Sequence, residues 1–461
     1  MDFLSQVTAK AGVIACGSLV AMLSVLQCAR LPAQEKSAQT PLSLSLRDAI
    51  RTALAPQGDP EIGVAAESEV IAAARLRNAR GLSMPQIDAS VTGSNQVLNL
   101  AALGLGEVHF PIPNFSFPNS VGPFNTVDAR VHLRQGIFDP EAWRQARALH
   151  AAITTAKDQT DEVRDQIATQ VAKLYLAAVN ASSAINLATA RVESAEALLR
   201  DLTSRNAEGK ALDIDVSHAR ARVASEQQLL MQAQMDRAQA ELDLLNALNL
   251  PLDTPLNLTD SLAFTPQDTL PPAQAVETAL KSRAEIVTQK QQLEAERLNN
   301  SSIQAERLPT LFAFANGGSQ GTTIPNSIGV YDVGISLNVP IFDGGRRASR
   351  GAQSVAAVRQ SELRQRQLEK QVELEVRKAL LKLDTATARV DVSAKEFATA
   401  QEELDHRRRL SEQGVGLETV VADARLALAQ ADEARLAALY SWNEARIELM
   451  QAMGTIRSLA Q

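Results

Sequence analysis

The chain has 461 residues and a formal charge of −7; 45% of its residues are hydrophobic but only 3% are aromatic. That length could bury several cores, yet so few aromatics leave Ala, Leu and Val to supply the apolar content, which points to long, closely packed helices rather than a set of ordinary globular domains. An acidic balance with no general basic field disfavours nucleic acid as a partner.

Residues 1–33 read as a secretory signal peptide: Lys10, an apolar run over 11–29, then Leu31-Pro32-Ala33 ahead of polar Gln34-Glu35. The run is long enough for an uncleaved anchor to compete. Both cysteines, Cys16 and Cys28, lie in this segment, so no disulfide framework or CxxC site is available to the rest. Gln27 is not the small residue that acylation at Cys28 would want, and the apolar run before Cys16 is short, so lipidation is not favoured at either. Cleavage removes Asp2, Lys10 and Arg30, together +1, and leaves a cysteine-free chain of −8. No later run of about twenty apolar residues exists, so any membrane crossing beyond the signal must use strands.

The remainder is a duplication, residues 34–250 and 271–461 joined by a linker over 251–270. Ala49-Ile50-Arg51-Thr52-Ala53-Leu54 answers Ala275-Val276-Glu277-Thr278-Ala279-Leu280, and Met84-Pro85-Gln86-Ile87 answers Leu308-Pro309-Thr310-Leu311. Ile137-Phe138-Asp139 answers Ile341-Phe342-Asp343, Gly209-Lys210-Ala211-Leu212 answers Gly414-Val415-Gly416-Leu417, and Leu248-Asn249 falls on Met453-Gly454. The offset is about 224 residues early and about 205 late, so the first repeat carries roughly twenty extra residues between its strand regions.

Each repeat opens with helices. One starts from a Ser45 cap and a second covers about 59–82; their equivalents are about 272–282 and 283–308. Strands follow over about 86–97 and 126–137, then 310–320 and 330–341. Val127, Ala129, Val131 and Leu133 take one face against Asp128, Arg130, His132 and Arg134; Tyr331, Val333, Ile335, Leu337 and Val339 oppose Asp332, Gly334, Ser336 and Asn338. Period two over about ten residues suits a tilted strand across a bilayer, and equally a soluble sheet with one wet face. The first strand of each pair alternates less cleanly.

Long stretches without proline or glycine, broken near Gly209 and Gly414, predict helices over 140–208, 212–249, 345–412 and 417–453. Val171, Leu174, Ala178, Ala181, Ile185, Ala188, Val192, Ala195 and Leu199 alternate spacings of three and four. Val376, Leu383, Val390, Phe397 and Leu404 recur every seven, with Ala379, Ala386, Ser393 and Ala400 three residues later. Both are left-handed coiled-coil seams. A two-helix cytosolic coiled coil would explain them, but neither the strands nor the signal.

Four strands cannot close a barrel, and an open sheet edge in lipid leaves backbone groups unpaired, so transmembrane strands demand oligomerisation. A dimer would supply eight strands around a filled interior; a trimer supplies twelve and can leave an aqueous bore. The same symmetry would bundle the helices into a hollow cylinder.

With these features together, the chain resembles the TolC-type outer membrane efflux protein family over essentially its whole mature length. The marks are the duplicated layout, the segment Leu337-Asn338-Val339-Pro340-Ile341-Phe342-Asp343-Gly344-Gly345 leaving the last strand, and the Gly-x-x-Leu turns between paired helices. The resemblance implies a mainly α protein with a transmembrane β part: a homotrimer whose four strands per chain make a twelve-stranded outer membrane barrel on a long α-helical coiled-coil barrel. It implies a Gram-negative-type outer membrane location in contact with lipid, a periplasmic extension, and docking to a periplasmic adaptor and an inner-membrane transporter. Neither catalysis nor a cofactor is expected.

The resemblance also assigns residues. The adaptor-contacting tips would be Gly209 and Leu212, and Gly414, Val415, Gly416 and Leu417, although a plain tight turn also needs glycine there. Asp215 and Asp423 would belong to the entrance gate; a solvated helix charge is the plainer reading of each. Val420 stands where the family's first ring aspartate would be, and Gly416 where a linking arginine would be, so the closure of the entrance departs from the pattern. Asp128, Arg130, His132, Arg134, Asp332, Ser336 and Asn338 would line the barrel lumen. In the barrel reading the extra segment 98–125, with Phe110, Phe115, Phe117 and Phe124 among its prolines, would be an external loop that serves as a lid, meets the neighbouring chain or is merely variable surface, and Phe138, Trp143 and Phe342 would sit near the membrane interface or serve packing alone.

The five histidines show no HExxH or paired spacing, and there is no GxSxG, P-loop or Rossmann glycine motif in a strand–helix setting, so enzyme readings find no support. Two functions stay open: an export channel, or an outer-membrane-anchored structural or adhesive coiled-coil trimer without transport. Charged strand faces suit a wet bore and would be costly in a filled one.

Overall fold

The computed structural model describes residues 41–104, 118–266, 270–413 and 418–460, the side chains of 418 and 419 excepted. The signal segment 1–33, the phenylalanines at 110, 115 and 117, and the second tip at 414–417 lie outside the described residues.

The two repeats share one order of elements. The first runs β1 (Leu42–Leu44), α1 (Leu46–Ala53), α2 (Pro60–Leu82), β2 (Gln86–Asn99), β3 (Ser120–Phe138), α3 (Pro140–Ala207) and α4 (Asp213–Ala247). The second runs β4 (Leu256–Leu258), α5 (Pro272–Ser282), α6 (Ala284–Ala305), β5 (Thr310–Gly321), β6 (Ile328–Asn338), α7 (Arg346–Glu412) and α8 (Glu418–Met453), with a closing 3₁₀ turn at Ile456–Ala460.

The residues shared between the repeats sit where the backbone needs them. Ser45 and Asp59 cap α1 and α2, Ser45 Oγ accepting from the Asp48 N–H at 3.2 Å and Asp59 Oδ1 from the Glu61 N–H at 2.8 Å. The two Ile-Phe-Asp segments turn strand into long helix: Asp139 Oδ1 accepts from the Ala142 N–H at 3.0 Å, and Asp343 Oδ2 from the Arg347 N–H at 2.9 Å. In the second case Gly344 and Gly345 take φ of +68° and +86°, which a side chain would resist. Just past the shorter helices, Asn249 and Gly454 take φ of +52° and +69°. There the Leu250 N–H donates to the Leu245 carbonyl at 3.0 Å and the Thr455 N–H to that of Met450 at 2.8 Å, the same helix stop made twice.

β1 and β4 pair in parallel and tie the repeats together, while the other strands form one antiparallel sheet in the order β2-β3-β5-β6. The main core grips α3 at its middle: Ile50, Val171, Tyr175, Leu244, Leu248, Ile447 and Ile456 cluster there, nearly or wholly buried. The α7 seam behaves as its spacing predicts. Val376, Ala379, Leu383, Ala386, Val390, Ser393 and Leu404 are buried, with Phe397 and Ala400 half-buried. Ala438, Leu439, Trp442 and Ala445 of α8 join one part of that seam, Val421 and Ala424 another. Of the α3 seam, Val171, Ala178, Ala188 and Ala195 are buried and the rest half-buried.

Several boundaries differ from the sequence reading. β3 begins at Ser120 rather than 126, so the connection from β2 narrows from 98–125 to 100–119. Pro123 falls in the irregularity where the register shifts between Gln96 and Leu98, and here β3 pairs with β2 and not yet with β5, a place that tolerates proline. β6 is Ile328–Asn338 rather than 330–341, because its partner β5 starts at Thr310, opposite Asn338, leaving Val339 without a ladder. The long helices differ by one or two residues at their ends, α6 stops at Ala305, and the linker contains β4, which was not foreseen.

Candidate functional site

The register places the charged residues of the strands in cross-strand rows. Asp88, His132, Asn316 and Asp332 stand in one row; Thr92, Asp128 and Gln320 stand in another; Arg134 lies opposite Gln86 and Phe314. Ser336 and Asn338 of β6 fall on the same face, opposite Phe312 and Thr310. Asp128, Arg130, His132, Arg134, Asp332, Ser336 and Asn338 thus share one face.

That face is knit together by side chains. His132 Nδ1 lies 2.9 Å from Asn316 Oδ1 and Nε2 lies 3.1 Å from Ser90 Oγ, linking three strands. Arg130 donates to Asp128 at 2.7 Å and to Gln320 at 3.1 Å, and the Arg134 guanidinium sits 4.3 Å from the centre of the Phe312 ring. Ser90, Asn316, Gln320 and the two phenylalanines of β5 were missed in the sequence, because small residues blur the alternation of β2 and β5 and only the register reveals their row.

The opposite face is apolar and bare. Tyr331, Val333, Ile335 and Leu337 are 63–87% exposed, and Ile87 and Val91 are 70% and 77% exposed. A soluble sheet does the reverse, burying its apolar face. Among the described residues, β2 and β6 each keep one edge without a partner strand. Where strands meet helices, Phe138 packs edge-on against Trp143 at 5.3 Å, both half-exposed, and Phe342 is fully out.

At the other extreme, the first tip is held by local bonds. Gly209 has φ of +71°, Asn206 Nδ2 donates to the Ala211 carbonyl and to Asp213 Oδ1, both at 3.0 Å, and Lys210 pairs with Glu208 at 2.8 Å. Asp215 accepts from the Leu212 N–H at 3.2 Å, so it caps its own helix, while Leu212 itself is exposed. Asp423 is exposed on α8. Gly414, Val415, Gly416 and Leu417 lie outside the described residues. Higher up, Arg191 of α3 bridges Glu226 of α4 and Glu433 of α8, at 2.9 Å each. Near the middle of the molecule, burial pushes the carboxyls of Glu162 and Asp165 above the usual range; Glu285 adds to this at Glu162 and Arg283 opposes it.

At ~1.5 Å per residue, the 68 residues of α3 reach about 100 Å. Among the described residues no helix is long and apolar enough to cross a membrane, and no group of three or more His, Cys, Asp or Glu side chains is placed to hold a metal.

The family model for outer membrane efflux protein matches residues 52–250 and 275–455, one match per repeat. The chain belongs to the outer membrane efflux protein family. A curated relative, the outer membrane efflux protein BepC of Brucella suis biovar 1 (strain 1330), is 24% identical over 281 residues, a match that spans 60% of this chain and 60% of that protein. Among solved structures, the Campylobacter jejuni CmeC outer membrane channel superposes with a TM-score of 0.74 at 16% identity, over 89% of this chain and 85% of that one. The outer membrane protein VceC of Vibrio cholerae gives 0.73 at 17% identity, over 89% and 96%. The efflux-protein fold is therefore that of a β share and long paired helices built by duplication, as the resemblance implied.

Proposed function

We propose that the chain is the outer membrane channel subunit of a tripartite efflux or type I secretion system, a passive trimeric conduit from periplasm to exterior. The observation that carries this reading is the inverted sheet: a hydrogen-bonded polar face, a bare apolar face and two edges without a partner strand among the described residues. Lipid can cover the apolar face, but it cannot satisfy the edges, so the edges must pair with copies of the chain. Three copies supply twelve strands, enough for a water-filled interior. Asp128, Arg130, His132, Arg134, Asp332, Ser336 and Asn338 then line the bore. Arginines and carboxylates there would be costly if the interior were packed dry.

The helices extend into the periplasm, where Gly209 and Leu212, with Gly414, Val415, Gly416 and Leu417, meet the periplasmic adaptor that connects to an inner-membrane transporter. Asp215 and Asp423, three copies each, stand near the entrance and bias it against anions. Energy comes from the transporter, and this subunit needs neither catalysis nor a cofactor. Family membership and the relatives named above support the same reading.

Planar-bilayer recording tests it. The purified protein is expected to give stepwise conductance, raised by Asp215→Ala or Asp423→Ala. A folded trimer that stays silent with both substitutions would sink the channel and leave an anchored structural trimer in its place.

A further inference from the structure

Where α3 and α4 of the first repeat part from α7 and α8 of the second, they leave a cavity of about 620 Å³. That is within the range of small-molecule sites. One part of its wall is apolar, formed by Leu187, Leu198, Phe397, Leu404 and Leu428. The polar part is unbalanced. Of the acids at the wall, Glu226 is taken by Arg191 and Asp432 by Arg435, whose guanidinium also stacks 4.6 Å from the Phe397 ring centre. That leaves Glu193 against Arg222, Arg408 and Arg425, whose side chains make no ion pair or hydrogen bond among the described residues. Arg425 is the sharpest case, because its Nε is buried and unpartnered, so one edge of a guanidinium is already desolvated without compensation.

We infer that this cavity is a binding site for an amphipathic monoanion, an apolar body carrying one carboxylate. The body fills the space among the leucines and Phe397, and the carboxylate supplies the charge that Arg425, with Arg222 and Arg408, lacks. A bare inorganic anion would leave the apolar wall unfilled, and a neutral amphiphile would leave the guanidinium uncompensated. An occupant would also set the spacing of the two hairpins, which the ion pair from Arg191 to Glu433 joins. The site lies within one chain, so it stands or falls separately from the channel reading.

A ten-carbon carboxylate bearing a diazirine is the probe, applied to the full protein in nanodiscs of neutral lipid, with crosslinks mapped by mass spectrometry. Saturable labelling is expected on 187–198 and 425–429, competed by decanoate and not by decanol. Arg425→Gln is expected to weaken it about tenfold or more. Ala429→Phe, which fills the cavity and keeps every charge, is expected to abolish it. Labelling that does not saturate, spreads along the chain, yields equally to decanol, or survives both substitutions in protein with an unchanged gel-filtration profile would overturn the site.

Discussion

Tyr175 is the side chain on which the two repeats meet. It is wholly buried, its hydroxyl donates to the Leu44 carbonyl of β1 at 2.9 Å, and it accepts from the Asp260 N–H just beyond β4 at 3.4 Å. Burial pushes the phenol up from its ordinary value, so it remains a donor at any physiological pH. The Thr259 N–H also reaches the Leu44 carbonyl, at 3.1 Å, so Tyr175→Phe does not orphan that oxygen, and the Asp260 N–H that it releases belongs to an exposed residue. Its cost is therefore expected near about 1 kcal/mol rather than the several expected for an unsatisfied group, measurable by chemical denaturation. Glu162 makes a prediction of opposite sign. Its carboxyl is raised first by burial and then by Glu285, so the folded chain holds that proton to higher pH than the unfolded chain does. Ionisation at neutral pH therefore costs stability, and the cost disappears as pH falls through the folded value toward the unfolded one. Glu162→Gln should raise the thermal midpoint at about pH 7.5, with the gain gone near about pH 4. A constant difference at both pH values would show that packing, not charge, is responsible.

At the scale of elements, α7 separates what is packed within the chain from what is left over. Leu383 is buried in the seam against α8, whereas Leu381, two residues earlier, is 67% exposed. Leu383→Ala should destabilise the hairpin by about 2–5 kcal/mol in thermal or denaturant melts, depending on how far α8 can collapse onto it. This contrast was legible in the heptad because a seam repeats locally every seven residues. β3 and β6 were legible for the same reason, their alternation being local. β1 and β4 were not: three residues carry no period, and Leu42 owes its strand to Leu256, more than two hundred positions away. The start of β3 at Ser120 was hidden likewise, since Pro123 reads as a break until the bulge opposite Gln96 and Leu98 gives it a place.

For the whole molecule, the apolar surface without a partner is the feature to explain. Leu363, Leu374, Leu381 and Val392 of α7 are 52–67% exposed, and Leu229, Met235 and Leu242 of α4 are about half exposed. Together with the bare sheet face, and the edges of β2 and β6 that have no partner strand among the described residues, they are the surface that the proposed trimer would cover. Leu381→Asp should leave far-ultraviolet circular dichroism unchanged while shifting the particle from trimer to monomer in native mass spectrometry. An intact trimer in this variant would place that stripe outside the interface.

The sequence by itself determined the duplication, the long helices with their seams, and the polar and apolar faces of β3 and β6. All of these are written in spacing that recurs within a few residues or between the repeats. Only the tertiary structure decided which residues of β2 and β5 join those faces. It placed Ser90 and Asn316 on either side of His132, and it left Arg425 uncompensated beside a cavity. Those facts depend on register and on the gap between hairpins. Both are set by contacts between residues far apart in the chain, which no local pattern encodes.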